Sequence, residues 1–178
     1  MSNHQSLLID PTKLQDVQQA LPCLPALNSY NVNDEGLLLL HYDRYPAHEL
    51  PAYAAKYHVV PIWGLDSQAK IEARLDDRDY RGMFGRGASG VIPAQFEHWA
   101  VWDQAIDLTV VFLHPKLIEQ VAEQSVKGGR IELMPKHDTY DPALTQLGLL
   151  LKADLEAGCP SGKLYRDSIA KQHWQHDL

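Results

Sequence analysis

Long apolar runs are missing from this chain. Gly36–Leu40 is only five residues, and a membrane-spanning helix needs about 20, so no association with a membrane is expected. Cysteine is scarce. Cys23 and Cys159 are the only two, and they lie far apart, so the sequence does not pair them; buried free thiols are the ordinary reading of both. No charged-then-apolar leader opens the chain, and a reduced, cytoplasmic protein is the expectation. Clustered positive charge is also absent. Lys and Arg are scattered, the last segment holds only Lys163, Arg166 and Lys171, and the net charge is −7. Phosphate backbones repel such a chain, so direct DNA binding by it is not expected. There is no internal repeat, low-complexity tract or long linker.

What is present is an ordinary globule. The 178 residues, 45% hydrophobic and 22% charged, fit one domain with a small appendage. Residues 1–35 read as an N-terminal arm or short helix, with Asp10 as its cap, Pro11 in the first turn and Leu14, Val17 and Leu21 at helical spacing. Residues 36–114 read as short strands: 37–42, 57–63, 71–75, 91–92, 97–102 and 107–114. They are broken by turns at Asp76-Asp77 and Gly85–Gly90. Residues 115–178 turn helical. Pro115 opens one helix, which Gly128-Gly129 stop, and a short strand-like piece follows from Arg130 to Met134. Asp141 and Pro142 begin the best helix of the chain, which Gly158 ends. Ser161 is placed to cap a last helix through Tyr165 and Ile169. The fold class is therefore mainly β, an antiparallel sandwich or small barrel followed by helices.

Chemistry-bearing constellations are few. Ser89 in Gly87-Ala-Ser-Gly90 lacks the spacing of a nucleophile elbow. Gly85-Arg86-Gly87 is not followed by the Gly-Lys-Ser/Thr of a phosphate loop. Asp76, Asp77 and Asp79 read as a solvated turn. His98 stands five positions after Pro93, and strand alternation places Ala100 and Trp102 on its face, with Trp99 and Val101 opposite, against the helices. On the earlier strand His58, Val60 and Ile62 share one face. Taken together, His58, Val60, Ile62, His98 and Trp102 are the candidate ligand-binding residues, since Trp and His around an apolar barrel mouth suit a small organic molecule. Leu144, Leu147, Leu151 and Leu155 form one stripe of the best helix, with Leu149 and Leu150 off it. The stripe is the candidate dimerisation seam.

The segment from Gly87 through Pro93 and His98 to Trp102 resembles the second signature motif of the cupin β-barrels. The family's glycine after the proline is replaced by Gln95 and its asparagine after the histidine by Trp102. The first cupin signature, a His-x-His pair with a nearby Glu, has no counterpart. His41, His48 and His58 are too far apart, so no metal and no cofactor are expected.

Most of residues 57–169, and above all Asp141–Leu147 and Leu155–Tyr165, is similar to AraC-type transcription regulators. The resemblance implies a cupin-like barrel, or double-stranded β-helix, that senses a small-molecule effector, followed by a helical dimerisation region. In that family a helix-turn-helix DNA-binding domain comes next. Here Asp167–Ala170 begins the continuation and Lys171–Leu178 departs from it. The expectation is a truncated sensor rather than an enzyme, a homodimer or a heterodimer with intact relatives. The alternative is a small metal-dependent cupin enzyme in which the fold brings two further ligands to His98.

Overall fold

The computed structural model describes residues 6–30, 36–125, 132–161 and 168. Of the helix expected at 161–169 only Ser161 and Ser168 are described, and the polar tail after it lies outside the described residues, as do Gly128-Gly129. In chain order the elements are β1 (Leu7–Ile9), α1 (Leu14–Val17), β2 (Leu27–Asn28), β3 (Leu37–Tyr45), β4 (His48–Glu49), β5 (Tyr53–Ala55), β6 (His58–Trp63) and β7 (Gln68–Leu75). They continue with β8 (Arg78–Gly85), β9 (Ser89–Val91), β10 (His98–Trp102), β11 (Ile106–Leu113), α2 (Pro115–Ser125), β12 (Lys136–Thr139) and α3 (Pro142–Glu156).

The strands form two six-stranded sheets. The first runs β1-β5-β10-β7-β8, with β4 also paired to β10; the second runs β12-β9-β6-β11-β3-β2. The first sheet has one wet face and one dry face. In β7, Gln68, Lys70, Glu72 and Arg74 are exposed while Ala69, Ile71, Ala73 and Leu75 are buried, the period-2 pattern of a half-buried strand. The second sheet is covered on both sides. Leu38, Leu40, Val59, Trp63, Val110 and Phe112 join the core between the sheets. Leu37, Leu39, Val60, Ile62, Val111 and Leu113 face the other way, into a second core shared with α2 and α3. The molecule thus has three layers: sheet, sheet and helices.

α3 begins where its sequence dictates. Asp141 Oδ1 accepts from the Ala143 and Leu144 backbone N–H groups at 2.8 and 3.4 Å, Pro142 occupies the first turn, and Gly158 at φ +83° follows its end. The absence of a side chain at Gly148 lets the helix lie directly on β6, because a Cβ there would stand 3.0 Å from Ile62 Cδ1. Among the described residues no helix is long and apolar enough to cross a membrane.

Several expectations change here. The Leu144, Leu147, Leu151 and Leu155 stripe is buried against the chain's own second sheet, so it is core and not a seam open to a partner. The outward residues are Leu149 and Leu150, 45% and 39% exposed. Trp99 and Val101 do face out of the sandwich, but on the first sheet, away from the helices; the Trp99 indole donates to Glu49 Oε1 at 3.2 Å. The divisions at 35/36 and 114/115 are crossed by pairing. β1 and β2 join β5 and β3, and β12 joins β9. The strand expected up to Met134 instead follows Pro135, and its first two residues lie outside the described set.

Candidate functional site

Between the two sheets lies a cavity of about 70 Å³. Its walls are almost wholly apolar: Ile71 and Ala100 from the first sheet, Val59, Trp63, Val110 and Phe112 from the second. Ile9, Val17, Ala20 and Leu21 of the N-terminal segment close one end. That segment is held in place by the His48 Nε2–H, which donates to the Ala20 carbonyl at 2.9 Å. Trp102 lines the same space. Its indole N–H donates to the Pro46 carbonyl at 2.9 Å, and its ring packs edge-on against Tyr45 and His48.

Two imidazoles supply the polarity. His98, on β10, is 5% exposed and meets the Tyr53 ring edge-on at 5.6 Å between centroids. His98 Nε2 stands 3.4 Å from His137 Nε2, a residue of β12. One ring must donate its Nε2–H to the lone pair of the other, a long hydrogen bond. Among the described residues neither Nδ1 has a hydrogen-bond partner. Burial, and then the neighbouring His137, push the His98 imidazole down to about 3; burial alone pushes His137 down to about 4. Both rings are therefore neutral at physiological pH. Leaving a buried polar nitrogen unmet costs about 1–3 kcal/mol, so this pair is an expensive thing to keep in an apolar core.

Of the five candidate ligand residues, His98 and Trp102 line this cavity and the other three do not. Val60 and Ile62 point through the second sheet to the helices. It is Val59, Pro61 and Trp63, one position out of step, that line the cavity. The His58 ring sits on the outer side too, where its Nδ1 accepts from the Ala94 N–H at 2.9 Å and pins the turn after Pro93. Burial and then His114 push it down to about 4. Sequence reasoning missed His137 altogether. Its neighbours Lys136 and Asp138 give it the look of a polar loop, and only the pairing of β12 with β9 brings it inside.

No family model matches the chain, and no curated protein matches it in sequence. Solved structures do match. Apo ToxT K231A from Vibrio cholerae covers 82% of this chain and 55% of its own length, with a TM-score of 0.54 and 7% identity; the chain spans about half the length of that protein. An RmlC-like cupin from Shewanella frigidimarina covers 43% of this chain and 63% of its own at a TM-score of 0.33 and 17% identity. The Cnp3 cupin domain of Schizosaccharomyces pombe covers 62% and 75% at 0.41 and 15%. At such identities the likeness is one of fold alone: a mainly β architecture of two sheets with C-terminal helices. The residues here do not fit a transition-metal site. His98 and His137 are two donors where a site takes at least three protein ligands, and among the described residues no group of three His, Cys, Asp or Glu converges.

Proposed function

We propose that this chain is a ligand-sensing domain of the AraC type, taking up a small organic effector in the cavity between its sheets. ToxT, the neighbour that matches most of this chain, is of the AraC family, and that match supports the finer assignment. The observation that carries the reading is the cavity itself: an apolar space between the sheets that ends on two neutral, under-satisfied imidazoles. Pockets that recognise small molecules have this composition, with apolar walls and a few placed polar groups. Dimerisation belongs to the same proposal, now through the outward face of α3, with Leu149 and Leu150 at its centre. The reading as a metal-dependent cupin enzyme has less support, since among the described residues the cavity offers two imidazole donors and no third ligand.

Thermal-shift screening of small apolar molecules tests the proposal, because a ligand of the folded state raises the apparent Tm. A binder's shift is expected to fall in Ala100→Ile, which fills the cavity, and to persist in His58→Ala, which lies outside it. A screen with no binder, or a shift indifferent to Ala100→Ile, counts against a sensing role for this space.

A further inference from the structure

The cavity is too small for what it is proposed to hold. At about 70 Å³ it is roughly half the ~150 Å³ that admits a benzene in an engineered protein cavity. An organic effector therefore enters only if something moves. The walls formed by β6, β7, β10 and β11 are paired on both sides. β12 is not: it is an edge strand, held to β9 at two register positions with an irregularity between them.

β12 also carries the piece that fills the space. His137 reaches from the edge of the second sheet to β8, the edge of the first, across the open side of the sandwich. Its ring stacks on Tyr80 at 4.8 Å between centroids and 25° between planes. It lies 5.3 Å from the Phe84 ring and 5.6 Å from that of His98. The slot it occupies is thus flat, aromatic on two sides and closed by the Nε2 of His98 on a third. The bond it makes there is long, and both Nδ1 atoms go unmet, so its seat is weakly held. Two residues beyond β12 stands Asp141, whose carboxylate caps α3.

We propose that His137 is a displaceable plug. An uncharged aromatic molecule with one hydrogen-bonding group enters at the β8–β12 seam, takes the place of the imidazole against Tyr80, Phe84 and His98, and frees β12 together with the cap of α3. This rests on the cavity being the effector site. Planarity follows from the stack on Tyr80 and the single polar group from His98. Neutrality follows from the apolar surroundings, where an unpaired charge is costly. Occupancy of the sandwich thereby reaches the helix whose outer face carries Leu149 and Leu150.

Phenol, benzene and benzoate at pH 7 are the probes, on the full chain, read by thermal shift and by amide hydrogen exchange. Phenol is expected to bind best and to speed exchange at 136–139 and 141–145 by about tenfold or more while β11 stays protected. His137→Ala, with the plug already gone, is expected to bind phenol about tenfold more tightly than the natural chain. Binding of phenol with unchanged protection at 136–139, or no gain in His137→Ala, overturns the plug and leaves the effector cavity standing. Tighter binding of benzoate, or equal binding of benzene, overturns the ligand class. If none of the three binds either form, the plug falls, and a full screen without binders then takes the sensing role with it.

Discussion

The carbonyl of Gly87 accepts a hydrogen bond from Thr145 Oγ1 at 3.0 Å, so the glycine of the cupin-like motif is a docking point for α3. Gly87 is at φ +82°, and a Cβ on it would lie 2.8 Å from Thr145 Cγ2. Left-handed backbone costs a residue with a side chain about 1–2 kcal/mol, and the clash adds to it. Gly87→Ala is expected to lower unfolding stability by about 2–4 kcal/mol in denaturant melts. Thr145→Ala makes room, so the double variant should lose less than the sum of the two single ones; strict additivity would show that the contact does not bind helix to turn.

Acid should loosen this protein through its buried histidines. His98, His137 and His58 sit at about 3, 4 and 4 when folded, against about 6.5 unfolded. Below pH 6.5 the unfolded chain takes up protons that the native chain refuses, so stability falls with pH. The contribution is whole above about pH 7 and is lost progressively from 6.5 down to about 4 for His137 and His58 and about 3 for His98. His137→Phe removes one of these groups and is expected to flatten the decline by on the order of a few kcal/mol. Urea melts between pH 4 and 8 measure it, and a stability independent of pH across that window would contradict the burial of the rings.

What the sequence discloses depends on how many faces of a strand are wet. β10 lies in the sheet with an exposed face, its burial alternates, and His98 and Trp102 could be read as inward from the pattern alone. β6 is covered on both faces, Val59 and Val60 are equally apolar and equally buried, and no alternation marks which one looks into the sandwich; hence the one-residue error. The α3 stripe was legible as apolar and its caps as caps, but not which side of the helix the chain's own sheet takes. β8 was invisible because its outer half is charged and wet, and His137 because no local pattern announces a residue placed by long-range strand pairing.

The same error makes a test of the β6 assignment. Val59→Ala and Val60→Ala remove the same atoms from equally buried positions, so each should cost roughly 1–3 kcal/mol. Only Val59→Ala enlarges the cavity, and only it should change phenol affinity. Titration of both variants followed by calorimetry measures this, and equal effects on phenol would mean that the binding space is not the one between the sheets.

The leucines of α3 separate folding from association. Leu147 and Leu151 are 1% and 0% exposed, and truncation to Ala leaves a cavity under the helix worth about 2–5 kcal/mol each. A charge there unfolds the helix from the sheet and says nothing about partners. Leu149 and Leu150 touch water, so Leu149→Glu with Leu150→Glu should leave the Tm within a few degrees while adding like charges to the outer face. Sedimentation of the natural chain and of this double variant then reads the partner surface directly. A dimer that becomes monomeric with its fold intact places the interface on the outward face of α3, whereas a dimer that survives both charges lies elsewhere, because two carboxylates facing their copies across a close interface repel each other without a compensating cation.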